Sequence, residues 1–200
     1  MLTRAFFGLL LIGFPAVLAV KICIQRRALG RSPVVLAGGG DGVWAGWFDR
    51  LGPVGLLVWP ATWLWAVFGT PPLSGAPVHA VGLMIMFAGV ALSLASIILM
   101  GRAWRIGIDP ENRTELVQHG PYRWVRHPIY SGFLVMLIGN VMVVPHLVVD
   151  AAALLTAFGL AYQAHREEKH LLRTFGDRYA QYVARTGCFA PTFWRSRRPP

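Results

Sequence analysis

Charged residues, and acidic ones above all, are scarce in this chain of 200 residues, which has 9 Asp and Glu against 19 Lys and Arg. Charged residues make up 14% of the chain and hydrophobic residues 55%, whereas a soluble domain is about 25% charged. This composition excludes a disordered chain and indicates that lipid surrounds much of the protein. The two cysteines, Cys23 and Cys188, are too few for a disulfide framework.

Five apolar stretches are each close to the length of roughly 20 residues that crosses a bilayer. They cover residues 5–20, 51–68, 78–100, 129–144 and 147–164. The first has some features of a signal peptide, but no small-residue cleavage site follows it, so we expect a retained helix. Only Pro145 and His146 separate the last two stretches, which therefore should form an antiparallel hairpin. Small residues in the third stretch, among them Gly89 and Ser93, predict a packing face toward another span or another subunit.

The basic residues predict how these spans are oriented. Eighteen of the 19 lie in segments 21–50, 101–128 and 165–200, and Arg4 alone falls on the opposite side. Because cytoplasmic loops carry the excess of Lys and Arg, we expect the N-terminus outside and the C-terminus in the cytoplasm. The net charge of +10 is explained by these loops, so we expect no nucleic-acid partner. The prediction is an all-α integral membrane protein with about five transmembrane helices and a cytoplasmic helical extension at its C-terminus.

The chain divides into two halves. Residues 1–100 hold the first three spans and a glycine-rich cytoplasmic linker, and residues 101–200 hold the last two spans with the polar motifs. Within the linker, residues 34–42 look like a strand that leads into a phosphate-binding loop. Such a loop needs a βαβ unit, whereas here Trp44, Trp47 and a membrane span follow. We interpret the linker as a flexible or interfacial segment.

Residues 119–132 combine a turn with the start of the fourth span. Gly120 and Pro121 predict the turn, and Pro128 suits the first position of a helix. The polar and aromatic residues His119, Tyr122, Arg126, His127 and Tyr130 surround this helix N-terminus. A helix N-terminus favours anions, and an Arg side chain can bind a carboxylate in a bidentate manner. The residues alone are equally compatible with a basic membrane anchor.

Residues 165–182 extend the fifth span beyond the membrane. We expect one continuous helix that ends at Gly176, followed by a short helix that carries Tyr179 and Tyr182. Glu167 and Glu168 are the only adjacent acids in the chain. We expect them to pair with basic residues of the preceding motif, Arg123 and Arg126; the alternative is a solvated face with Glu–Lys pairs.

Several short motifs occur in a fixed order across residues 101–191. They are Trp104-Arg105-Ile106-Gly107-Ile108, Arg113-Thr114-Glu115-Leu116-Val117, Gly120-Pro121-Tyr122, Arg126-His127-Pro128-x-Tyr130-x-Gly132, Glu167-Glu168-x-x-Leu171, Phe175-Gly176 and Tyr179-x-x-Tyr182. In residue type, spacing and position beside the last two spans, this half resembles the isoprenylcysteine carboxyl methyltransferase family of integral membrane methyltransferases. The first half carries no comparable motif.

The resemblance implies S-adenosylmethionine as methyl donor, bound at the cytoplasmic ends of the last spans. It also implies a lipophilic acceptor that enters from the bilayer, such as an isoprenylcysteine-like carboxylate or another membrane-dissolved molecule. The residues that match the family's cofactor-binding motifs are His119, Gly120, Tyr122, Arg126, His127, Pro128, Tyr130, Gly132, Glu167 and Glu168. Of these, Glu167, Arg126 and Tyr130 are the predicted catalytic residues, and no metal is expected.

Roles follow from the same resemblance. Arg126 and the helix N-terminus would hold the donor's carboxylate, and His127 and Tyr122 would bond to its polar groups. Glu167 would bind the donor or orient an Arg, with Glu168 as its substitute. Two alternatives stay open: an NADPH-dependent membrane reductase with the same superfamily architecture, and a non-catalytic membrane scaffold.

Overall fold

A computed structural model describes residues 16–28, 30, 76–104 and 115–192. Residues 16–28 are helical and are called α1. The later helices are α2 (Ala76–Met100), α3 (Pro128–Val143), α4 (Leu147–Phe175) and α5 (Asp177–Arg185), with 3₁₀ turns at Gly101–Ala103 and Gly120–Arg123. Among the described residues, β-type backbone pairing is confined to one isolated parallel bridge between Val125 and Gly187.

Helices α2, α3 and α4 correspond to the third, fourth and fifth predicted spans. By length and composition α2 and α4 are able to cross a membrane, and α3 is a shorter apolar helix. The first predicted span lies partly outside the described residues, although α1 continues past its expected end at residue 20. The second span and the glycine-rich segment 34–42 lie wholly outside them. The count of five transmembrane helices therefore stays a prediction.

The predicted hairpin between the last two spans is confirmed. Helix α3 ends at Val143 and α4 begins at Leu147. The His146 side chain caps α4, since its Nδ1 accepts a hydrogen bond from the Val148 N–H at 3.2 Å. The short connection brings the far ends of the two helices, which carry the polar motifs, to the same side of the hairpin.

Glycines allow α2 and α3 to pack backbone against backbone. A Cβ added at Gly89 would lie 2.5 Å from the carbonyl oxygen of Gly132, and one added at Gly139 would lie 2.5 Å from that of Gly82. The Ser93 hydroxyl on α2 also donates to the Ile129 carbonyl on α3, at 3.1 Å. Small residues at such close crossings are typical of helix pairs in lipid. The small-residue face predicted for the third span thus packs within the monomer.

The C-terminal extension folds back onto the start of α3. As predicted, α4 ends at Gly176, whose φ of 52° favours glycine. The short helix α5 follows. The described residues after it, 186–192, are called the tail below, and they run beside the segment that leads into α3. The N–H of Arg126 donates to the Gly187 carbonyl at 2.8 Å, and the N–H of His127 donates to the Cys188 carbonyl at 3.1 Å. This return of the tail was not anticipated from the sequence.

Candidate functional site

An ion pair joins the start of α3 to the polar end of α4. Arg126 Nε lies 2.6 Å from Glu168 Oε1, and the side chains are 10% and 24% exposed. Arg126 Nη1 also donates to the backbone carbonyl of Thr186, and to that of Val183 at 3.4 Å. One guanidinium thus connects α3, α4 and the returning tail. Arg123, the other basic partner expected for the acids, instead lies over the Trp124 ring, 4.9 Å from its centroid.

Glu167 has a different set of neighbours from Glu168. Its Oε1 accepts hydrogen bonds from the Tyr130 hydroxyl at 2.5 Å and from Gln163 Nε2 at 3.0 Å. Glu168, rather than Glu167, is therefore the acid that contacts and orients Arg126. Gln163 was missed by the sequence reasoning, although its position one helical turn before Glu167 is the spacing at which side chains meet on a helix.

His127 lies between the two glutamates. It occupies the residue before α3, but its side chain does not cap the helix. Its Nδ1 is 3.6 Å from Glu167 Oε2 and its Nε2 is 3.4 Å from Glu168 Oε1, with the side chain only 6% exposed. The ring stacks on Tyr130 with centroids 5.5 Å apart. The motif residues Arg126, His127, Tyr130, Glu167 and Glu168 thus form one cluster, called the Arg–Glu cluster below.

The charges of the Arg–Glu cluster do not balance within its own contacts. Of the two carboxylates, Glu168 contacts the guanidinium of Arg126, whereas Glu167 faces the ring of His127. With His127 neutral, one negative charge is in excess. Because partial burial makes unbalanced charge costly, the cluster favours a ligand that carries net positive charge.

Tyr179 and Tyr182 of α5 are buried near this cluster. The Tyr182 hydroxyl donates to the backbone carbonyl of Tyr122 at 2.5 Å. Burial raises the pKa of Tyr182 to about 12, an effect that nearby Arg126 partly offsets. Burial likewise raises the pKa of Tyr179, and the charge of Glu168 adds to that shift. Both phenols therefore stay protonated at neutral pH, and Tyr182 remains a hydrogen-bond donor.

Cys188 on the returning tail also borders the cluster and was missed by the sequence reasoning. Its Sγ and ligand atoms of His127 and Glu168 all lie within 4.8 Å of one another. Burial raises the pKa of the Cys188 thiol, with a further contribution from Glu168. No local sequence signal could have found Cys188, because only the fold of the tail places it there.

The remaining predicted site residues lie around the cluster or away from it. Pro128 is buried at the first position of α3, as expected. Gly132 lies in the contact between α2 and α3, where a Cβ would collide with Gly89 and Ser93. Tyr122 is buried and its hydroxyl donates to the Ser96 carbonyl at 3.4 Å.

The first two residues of the predicted set lie at the 3₁₀ turn. Gly120 has a φ of 60°, and a Cβ there would lie 2.8 Å from Leu99 Cδ1. His119, which precedes the turn, is exposed. The positive φ and the contact with Leu99 give Gly120 a conformational and packing role in this turn. Any contact of His119 and Gly120 with a bound donor stays a prediction.

The sequence of this chain is similar to those of known methyltransferases. The model of the phospholipid methyltransferase family matches residues 77–178, which include all but the first residue of α2, the whole of α3 and α4, and the whole Arg–Glu cluster. Protein-S-isoprenylcysteine O-methyltransferase A of Arabidopsis thaliana is 35% identical over 105 residues, 51% of this chain and 53% of that protein. Methanethiol S-methyltransferase 1 of Bradyrhizobium diazoefficiens is 41% identical over 76 residues, 37% of this chain and 25% of that protein.

A solved structure shares the fold. It is that of the eukaryotic intramembrane Ras methyltransferase, isoprenylcysteine carboxyl methyltransferase, with a TM-score of 0.56 at 22% identity, covering 74% of this chain and 55% of that chain. The chain spans little more than half the length of the isoprenylcysteine methyltransferases that it matches. Half of the chain, including every residue of the Arg–Glu cluster, is matched by the family model. The chain therefore belongs to the phospholipid methyltransferase family, and its predicted relationship to the isoprenylcysteine carboxyl methyltransferases is confirmed.

Proposed function

We propose that this protein is an integral membrane methyltransferase that uses S-adenosylmethionine and methylates a lipophilic acceptor. The observation that carries the proposal is the Arg–Glu cluster. Two motifs that are far apart in the sequence, around Arg126 and around Glu167, converge at the polar ends of α3 and α4. Family membership supports the methyl-transfer chemistry.

The charge of the donor suits this cluster. S-adenosylmethionine carries a sulfonium, an ammonium and a carboxylate, and so has one net positive charge. The cluster has one carboxylate in excess over its guanidinium. We therefore place the cationic groups of the donor near Glu167 and Glu168, where they would neutralise that excess.

Arg126 has a more constrained role than the sequence suggested. Its Nε contacts Glu168, and its Nη1 contacts the carbonyls of Val183 in α5 and of Thr186 directly after α5. Nη2 is the atom that we assign to the carboxylate of the donor, since a guanidinium offers five N–H groups. In this arrangement Arg126 also positions Glu168 and the tail around the bound donor.

Methyl transfer itself requires little acid–base catalysis from the protein. The bond from the sulfonium sulfur to the methyl carbon breaks as the acceptor's nucleophile forms a bond to the same carbon from the opposite side. Holding the two reactants in line supplies most of what is needed. A carboxylate acceptor, with a pKa of about 4, is already ionised and needs no base.

The acceptor is the less defined half of the proposal. The relatives are named for an isoprenylcysteine carboxylate and for methanethiol, which is a thiol. A thiol would have to lose its proton, and we assign that step to Glu167, which is partly exposed, or to His127, which is buried. Exposed apolar side chains on α3 and α4, such as Ile138, Leu155 and Phe158, suit a lipid environment from which such an acceptor would arrive.

The NADPH-dependent alternative fits the cluster less well. The additional phosphate of NADPH requires unpaired cationic side chains, whereas Arg126 is already paired with Glu168 and Glu167 adds a second carboxylate to the cluster. A non-catalytic scaffold would not need a partly buried cluster with unbalanced charge. We further propose, from the basic residues of the loops, that the cluster faces the cytoplasm.

Calorimetry of the detergent-purified full chain tests the proposal directly. We expect S-adenosylmethionine and S-adenosylhomocysteine to bind and NADPH not to bind. Glu168→Gln should weaken S-adenosylmethionine binding by at least about tenfold, equivalent to 1.4 kcal/mol. Glu115→Gln, which changes an exposed acid outside the cluster, is the matched control. Binding of NADPH alone, or equal affinities for the wild type and Glu168→Gln, would contradict the proposal.

A further inference from the structure

We propose that His127, Glu168 and Cys188 form a binding site for a divalent cation of the zinc class, with Zn²⁺ or Cd²⁺ as occupant. Ligand atoms of the three residues all lie within 4.8 Å of one another. An imidazole nitrogen, a carboxylate oxygen and a thiolate sulfur are the donor types that Zn²⁺ takes, at about 2.0–2.3 Å. The three side chains would have to turn toward a common centre to reach that distance from one ion.

The state of the His127 ring supports a metal ligand. Its Nε2 atom is buried and has no hydrogen-bond partner among the residues that the structure describes. Buried polar atoms are rarely left unpaired. The opposite nitrogen, Nδ1, faces Glu167 Oε2 at 3.6 Å. Glu168 Oε1 lies 3.4 Å from Nε2. With the ring proton on Nδ1, on the side of Glu167, the lone pair of Nε2 is available to a metal that Glu168 also binds, and a carboxylate beside the other ring nitrogen is usual around a metal-binding histidine.

The charges of the site also balance when an ion is bound. Glu167, Glu168 and the Cys188 thiolate supply three negative charges, and Arg126 together with a divalent ion supplies three positive ones. The thiol proton leaves to solvent when the sulfur binds the ion. Glu168 keeps its contact with Arg126 through Oε1, because a carboxylate has lone pairs to spare on both of its oxygens.

Three protein ligands leave the fourth position of a tetrahedral ion to water. The bound ion and the methyl donor would compete for His127 and Glu168, so the metal would inhibit donor binding. This second consequence, unlike the site itself, depends on the proposed methyltransferase function. The inference is thus a metal site within the Arg–Glu cluster that opposes S-adenosylmethionine.

Cadmium titration of the detergent-purified full chain provides the test. We expect one Cd²⁺ to bind, with the ultraviolet absorption of a cadmium–thiolate bond and release of a proton. Cys188→Ser should remove this absorption and weaken binding at least about tenfold. Cys23→Ser, which changes the exposed cysteine of α1, should leave both unchanged. His127→Gln should weaken binding while the thiol is still present.

The outcomes separate the two proposals. Cys188 is not part of the proposed donor site, so Cys188→Ser should bind S-adenosylhomocysteine like the wild type, which also shows that the variant is folded. Cadmium binding that depends on Cys188 without any donor binding would overturn the proposed function alone. The metal site is overturned if the wild type shows no cadmium–thiolate absorption, or if the absorption is lost in Cys23→Ser rather than in Cys188→Ser.

Discussion

Arg126 at the start of α3 contacts Glu168 on α4 at 2.6 Å, on the side of the hairpin opposite its turn at Pro145 and His146. Both side chains are largely shielded from solvent, so this ion pair is screened less than a surface pair would be. The same guanidinium reaches the carbonyl of Val183 in α5 and that of Thr186 directly after α5. Removing it would therefore leave a partly buried carboxylate and two carbonyls without this partner, with consequences for both the ligand and the tail.

Arg126→Ala should weaken S-adenosylhomocysteine binding by about 1.5–3 kcal/mol, the cost of losing a charge-assisted hydrogen bond. Arg126→Lys should recover only part of this, because Lys keeps the charge but not the planar set of donors. Calorimetry of the purified variants measures both effects. Arg178→Ala, which removes an exposed Arg of α5, should bind like the wild type. Unchanged binding in Arg126→Ala would show that the donor site is elsewhere.

Glu167→Gln and Glu168→Gln should weaken binding of S-adenosylmethionine more than binding of S-adenosylhomocysteine. The product has lost the sulfonium charge, so it gains less from a carboxylate that faces the sulfur. Glu167→Gln should also lower turnover more than it lowers the yield of folded protein. The ratio of the two affinities, measured in each variant and in Glu115→Gln, checks the charge argument. An equal loss for both ligands would place the glutamates away from the sulfonium.

Gly89→Ala should destabilise the protein, because the added Cβ would lie 2.5 Å from the Gly132 carbonyl and force α2 and α3 apart. We expect a loss of about 1–3 kcal/mol, as for other overpacked contacts. Gly159→Ala on α4 is the matched control, since nothing lies within 4 Å of a Cβ there. Thermal unfolding in detergent compares the two variants. If both unfold like the wild type, the helices are not in backbone contact.

The orientation of the chain can be tested with single cysteines in a background that lacks Cys23 and Cys188. Pro72→Cys, between the second and third predicted spans, should react with an impermeant thiol reagent added to intact cells. Asn112→Cys, in the basic segment after the third span, should react only after the cells are opened. The reasoning is the excess of Lys and Arg on the side of Asn112. The reverse pattern of labelling would place the Arg–Glu cluster outside.

Much of the helical framework could be predicted from the sequence, because its causes are local. The lengths of the apolar stretches match α2, α3 and the apolar part of α4. Pro128 begins α3 and Gly176 ends α4, since one lacks an N–H that helix interiors need and the other tolerates a positive φ. The pairing of Arg126 with the adjacent acids was also anticipated, because an acid on a helix that leaves the membrane needs a basic partner, although Arg123, the other expected partner, lies over Trp124 instead.

Only the tertiary structure shows which residues Glu167 and Glu168 each contact. Adjacent residues on a helix point about 100° apart, so only the rotation of α4 against α3 decides that Glu168 contacts Arg126 and Glu167 contacts Tyr130. The place of Cys188 likewise depends on the tail returning along α3 through the backbone bonds of Gly187 and Cys188. Such contacts join distant parts of the chain and leave no local pattern in the sequence. The helices were thus determined by local composition, whereas the neighbours of each site residue were decided by how those helices and the tail pack.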